Sequence, residues 1–99
     1  MSKPFYSEYV RHCMRFYSRN TNRPRFNTEV DKNNWYACSR AIEHYSDRDK
    51  DILVSVYGMY DTLADNVYEV AKQYSIDQNI IWDMLKELEH SIAKKRGLI

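Results

Sequence analysis

Glycine and proline are scarce in this chain, two of each in 99 residues. An all-β domain spends many such residues on its turns, so that class is excluded, and the stretches between them are rich in helix-compatible residues. Cysteine is equally scarce. Cys13 and Cys38 fall in apolar helical patterns and not at the short paired spacings of metal knuckles, so both are expected to be free, buried thiols in a reducing, cytoplasmic setting. No apolar run approaches the ~18 residues that read as a membrane span, and the start MSKPFYSEYVRHC lacks the continuous apolar core of a signal peptide. No membrane partner is expected. His12, His44 and His90 lie far apart without i, i+4 partners, and there is neither a Gly-rich phosphate loop nor a Ser-His-Asp, Cys-His or paired-carboxylate spacing. The chain therefore reads as a non-enzyme with no metal and no cofactor.

What is present is charge, unevenly placed. The formal net charge is only +1, yet residues 1 to 26 carry six Lys or Arg against one Glu, residues 27 to 93 carry six against thirteen acids, and Lys94, Lys95 and Arg96 are all basic. Basic ends around an acidic body suggest an anionic partner met by the ends, or a merely solvated basic face. Nine tyrosines recur mostly at helical core positions, where the ring packs and the hydroxyl reaches water; Tyr36 and Tyr68 are candidates to touch a partner.

Apolar periodicity divides the chain into about five helices, an all-α single domain over residues 1 to 99. The first is expected from Tyr6 to Arg19, with Phe5, Tyr6, Tyr9, Val10, Cys13, Phe16 and Tyr17 inward and Arg11, Arg15 and Arg19 as a stripe on the other side. Residues 20 to 34, NTNRPRFNTEVDKNN, form the long connection, and Pro24 interrupts any helix there. A second helix follows from about Asn34 to Tyr45, capped by Asn33 or Asn34, and closes an N-terminal helical pair over residues 1 to 45. Ser46 with Asp49 has capping-box spacing and opens a third, with Ile52, Leu53, Val56, Tyr57 and Tyr60 inward. Asn66 with Glu69 and Ser75 with Gln78 repeat that spacing, opening a short helix to Tyr74 and a long final one to Arg96, with Ile81, Leu85, Leu88 and Ile92 inward and Gly97 at its end.

The stretch VAKQYSIDQNIIWDML has the parts of a helix-turn-helix: Ala71 as the small residue at the crossing, Ile76 in the turn, and Ile81 with Met84 or Leu85 as clamps. Ser75 stands where such turns usually hold glycine. The wider run from Ser46 to the C-terminus resembles region four of bacterial sigma factors and the small sigma-like regulators of phage and mobile elements. That resemblance covers roughly the second half of the chain and implies a bacterial transcription regulator or sigma-like accessory factor, binding double-stranded DNA and in contact with RNA polymerase or another protein, as monomer or homodimer.

On the same resemblance, Gln78, Asn79, Trp82, Asp83 and Lys86 are the candidate base readers. Gln and Asn suit adenine, Lys suits guanine or phosphate, and Asp can accept from a cytosine amino group. Arg11, Arg15, Arg19, Arg23, Arg25, Lys94, Lys95 and Arg96 are the candidate phosphate contacts. Two alternatives stay open at this stage: Gln78 and Asn79 only cap and solvate a helix start, or the whole chain is a helical protein-interaction module without DNA binding, its acidic body docking a basic partner or its final helix forming a dimer seam.

Overall fold

The computed structural model describes residues 3 to 22 and 24 to 99. Among these, five helices and no strands are found: α1 (Ser7–Arg19), α2 (Glu29–Ile42), α3 (Asp47–Gly58), α4 (Leu63–Tyr74) and α5 (Gln78–Lys95). The all-α class and the number of helices are as expected. One core takes residues from every helix, with Val10, Met14, Cys38, Leu53, Tyr57, Val67, Ile81 and Leu88 all buried. The final helix touches all four others, and α1 packs on α3 and α5 as well as on α2. No helix among the described residues is long and apolar enough to cross a membrane.

Helix starts are set by small oxygen-bearing side chains. Ser46 Oγ accepts from the Asp49 amide at 3.2 Å, as its spacing predicts. The starts of α2 and α4 differ from expectation for one shared reason. Asn34 and Asn66, read as caps, are interior residues of their helices and are buried, and the caps are threonines upstream. Thr28 Oγ1 accepts from Asp31 N at 3.1 Å and Thr62 Oγ1 from Asp65 N at 3.2 Å. α2 thus gains about one and a half turns and α4 about one, each with acid in its first turn facing the positive end of the macrodipole. Asn66 Nδ2 instead donates to the carbonyls of Val56 (2.9 Å) and Met59 (3.2 Å), tying α4 to the end of α3.

Tyr60 also departs from expectation. It lies beyond the last turn of α3, 83% exposed, with the Arg19 guanidinium 4.0 Å from its ring centroid. At the far end of α5 the pattern holds: Gly97 has φ +71, and Leu98 N donates to Ala93 O at 2.8 Å, closing a glycine-type C-cap under the side chain of Leu98.

Candidate nucleic-acid interface

The junction of α4 and α5 is three residues long, and Ser75 decides its shape. With φ 56 and ψ 46, Ser75 occupies the left-handed region, and the Ile76 amide reaches back to Ala71 O at 3.0 Å. Ser75 therefore ends α4 and does not cap α5. The N-cap of α5 is Asp77, whose Oδ1 accepts from Asn79 N at 2.7 Å, so this carboxylate lies against the helix's positive end. Ile76 packs against the core, and Ala71 is buried beside it.

Of the five residues assigned to base reading, Gln78, Asn79, Asp83 and Lys86 are exposed and Trp82 is half-buried against the core. They border two different concavities. Gln78 and Asn79 line an open cleft of about 710 Å3 with Tyr68, Lys72 and Asp77. Trp82, Asp83 and Lys86 line a narrower one of about 360 Å3 between α5 and the start of α1, with Pro4, Tyr6, Ser7 and Arg11. Phe5 stands 80% exposed in the turn leading into α1, and the buried Ser7 hydroxyl has no hydrogen-bond partner among the described residues.

The arginine stripe does not survive as a set of free cations. Arg11 Nε donates to Glu89 Oε2 at 3.0 Å, with the two side chains only 17% and 5% exposed. The same carboxylate oxygen accepts from Tyr57 Oη at 2.5 Å. Burial, then the adjacent Glu89 carboxylate, pushes the Tyr57 hydroxyl well above its ordinary range. Glu89 is accordingly an interior acid and Arg11 its counter-ion. At the other end of the stripe Arg19 Nη2 donates to Met59 O at 3.2 Å, where the chain leaves α3. The cause is geometric: residues eight apart on a helix are offset by about 80°, so the stripe turns from α5 toward α3 along its length. Arg15 is half-buried and Arg25 exposed, while Arg23 lies outside the described residues. Lys94 and Lys95 are exposed. Arg96 Nε donates to Asn34 Oδ1 at 2.6 Å, and Asn34 Nδ2 in turn donates to Tyr9 Oη at 2.9 Å.

One cluster of cations escaped the sequence reading. Lys32 and Arg40 of α2 meet Lys95 and Arg96 around a cleft of about 460 Å3, with Asn33, Tyr36 and Ala37 completing its wall. The signal was present: Lys32, Tyr36 and Arg40 recur every fourth residue. Starting α2 at Asn34 left Lys32 in the preceding loop and broke that series.

Compared with known protein families, with curated proteins and with solved structures, the chain matches none.

Proposed function

We propose that this is a small double-stranded-DNA-binding protein that uses α4 and α5 as a helix-turn-helix, in the manner of a sigma-like transcription regulator or accessory factor of a bacterium or its mobile elements. The observation that carries the reading is the junction itself. A left-handed Ser75 holds two packed helices at close quarters, and the first residues of the second, Gln78 and Asn79, stay exposed where a reading helix presents side chains to base edges. Both amides can pair with adenine in two-point fashion. Lys72 lines the same cleft and Lys86 follows about two turns on along α5, while Asp77, although exposed there, has one carboxylate oxygen engaged as the helix cap. Arg11 takes no part in this reading, since its guanidinium is held inside by Glu89, and Arg19, although exposed, is bonded to the carbonyls at the end of α3; Arg15, Arg25, Lys94 and Lys95 remain as phosphate contacts.

Selection of a preferred duplex followed by titration at fixed salt tests the reading. Gln78→Ala and Asn79→Ala should each weaken the selected site by roughly 1–3 kcal/mol and leave random duplex nearly unchanged. Equal affinity of both variants and wild type for both duplexes would remove α5 from the groove.

A second reading, a protein-interaction module, is favoured by one feature. The cleft between α1 and α5 places Trp82, Pro4 and Tyr6 around a space next to the exposed Phe5, a setting suited to an apolar side chain of a partner.

A further inference from the structure

The cleft between α2 and the end of α5 brings together groups that no helix-turn-helix requires. Lys32, Arg40, Lys95 and Arg96 surround it, and no carboxylate lines it. Glu29 and Glu43 lie on the same side of α2 but beyond the two ends of the lining stretch. The negative end of α5 is muted here, because Gly97 N and Leu98 N take up the carbonyls of Lys94 and Ala93. Arg96 is held in place through Nε by Asn34, which leaves its terminal nitrogens without a protein partner among the described residues.

An aromatic ring shares the cleft. Tyr36 is 43% exposed, and it is braced from behind by Trp35 (ring centroids 5.2 Å apart, edge-on) and by Phe26 (6.1 Å). Trp35 is itself fixed, its Nε1 donating to Asn20 O at 3.0 Å and its ring lying 5.2 Å from Tyr17. A ring braced in this way loses little freedom when a flat group stacks on it. The small side chain of Ala37 leaves room beside it.

We propose that this cleft binds a segment of single-stranded nucleic acid, its phosphates held by Lys32, Arg40, Lys95 and Arg96 and one base stacked on Tyr36. Cations that follow a backbone, interleaved with an aromatic face, are what sequence-tolerant single-strand binding requires. A duplex fits less well, because its bases are stacked inside and cannot reach a tyrosine on the wall of a concavity unless one is flipped out. The inference does not rest on the α4–α5 junction, although Lys95 is a phosphate contact in both readings. Gln78 and Lys95 are the two ends of α5, about 25 Å apart along the helix axis.

The test is titration of the full chain with a fluorescently labelled short oligothymidylate at low salt, alongside amide chemical-shift mapping on the wild-type protein. Saturable binding is expected, with shifts centred on α2 and the end of α5 and a log–log salt slope of roughly −2 to −3 for three or four phosphates. The exposed pair Arg40→Glu and Lys95→Glu should lower affinity at least about tenfold, and Tyr36→Leu roughly fivefold or more. Asn79→Ala should change nothing, which separates this site from the helix-turn-helix. Inorganic pyrophosphate, which offers charge without a base, should compete only weakly. The proposal is overturned by an absence of saturable binding, by shifts confined to α4 and the start of α5, or by charge-reversed protein that binds like wild type. It is equally overturned if Tyr36→Leu binds normally and pyrophosphate displaces the oligonucleotide, since the cleft would then be a simple anion site.

Discussion

Arg11 and Glu89 meet inside the molecule, Nε to Oε2 at 3.0 Å, although 78 positions separate them in the chain. An arginine assigned to a phosphate-binding stripe and an acid of α5 neutralise each other out of sight of any partner. Their desolvation is offset only while both are present and while Tyr57 Oη occupies the same carboxylate oxygen.

Removing one member should therefore be costly. Arg11→Ala leaves Glu89 buried without its counter-ion and should lower unfolding free energy by about 3 kcal/mol or more in urea titrations. Its effect on the salt slope of DNA binding should be nil, because Arg11 is not available to a phosphate. A stable variant with a flattened slope would put Arg11 back on the surface.

Alkali should act on the same cluster. The Tyr57 hydroxyl is raised in the folded protein by burial and by Glu89, so above the ordinary tyrosine value of 10.0 the unfolded chain ionises while the folded one resists. The corresponding stability is complete below that pH and is lost as pH rises toward the folded value. Tyr45, raised by burial and by donating to Glu87 at 2.8 Å, adds to the loss with the same sign. Urea midpoints should fall from about pH 9 to about pH 11, and Tyr57→Phe should reduce the fall. An equal fall in wild type and Tyr57→Phe would place the sensitivity elsewhere.

Ser75 carries a left-handed backbone at φ 56. Glycine relieves the steric cost of a side chain there, so Ser75→Gly should stabilise the fold by about 1 kcal/mol, and Ser75→Val should destabilise it by more. A thermal melt that ranks the three in any other order would contradict the observed turn.

Asn66→Ala should cost about 1–3 kcal/mol, since it strips the carbonyls of Val56 and Met59 of the donor that joins α4 to α3. Thr62→Ala, losing only an exposed cap, should cost about 1 kcal/mol. Chemical denaturation of the two variants side by side distinguishes these roles. No loss at Thr62 would mean that α4 starts at Asn66 after all, and a larger loss at Thr62 than at Asn66 would mean that the bonds from Asn66 to α3 contribute little.

Periodicity and capping made much of this fold legible in advance, and the exceptions have physical causes. Ile81, Leu85, Leu88 and Ile92 announce α5 because one face of a long helix must be apolar, and Ser46 with Asp49 announces α3. Thr28 was passed over because Val30, the first apolar residue behind it, points to water and starts no apolar stripe. Asn66 was mistaken for a cap because asparagine is favoured both at helix starts and as a buried donor to stray carbonyls, and only three dimensions tell the two apart. The candidate site was less legible still. Charge in a sequence carries no sign of its partner, so neither the burial of Arg11 against Glu89 nor the hold of Arg19 on the end of α3 is legible there, and Lys32 and Arg40 stand out only once Lys95 and Arg96 are beside them.

Cys13 and Cys38 lie almost wholly out of water, and burial pushes the first thiol up to about 11 and raises the second further. Neither is a thiolate at neutral pH, and neither can be reached by an alkylating reagent while the helices stay closed. The speed of their modification is then a clock for breathing of the α1–α2 contact: slow under native conditions, faster whenever that part of the molecule opens. The protein thus carries two native reporters of local unfolding, and ligands that close either cleft can be recognised by how far they slow the clock.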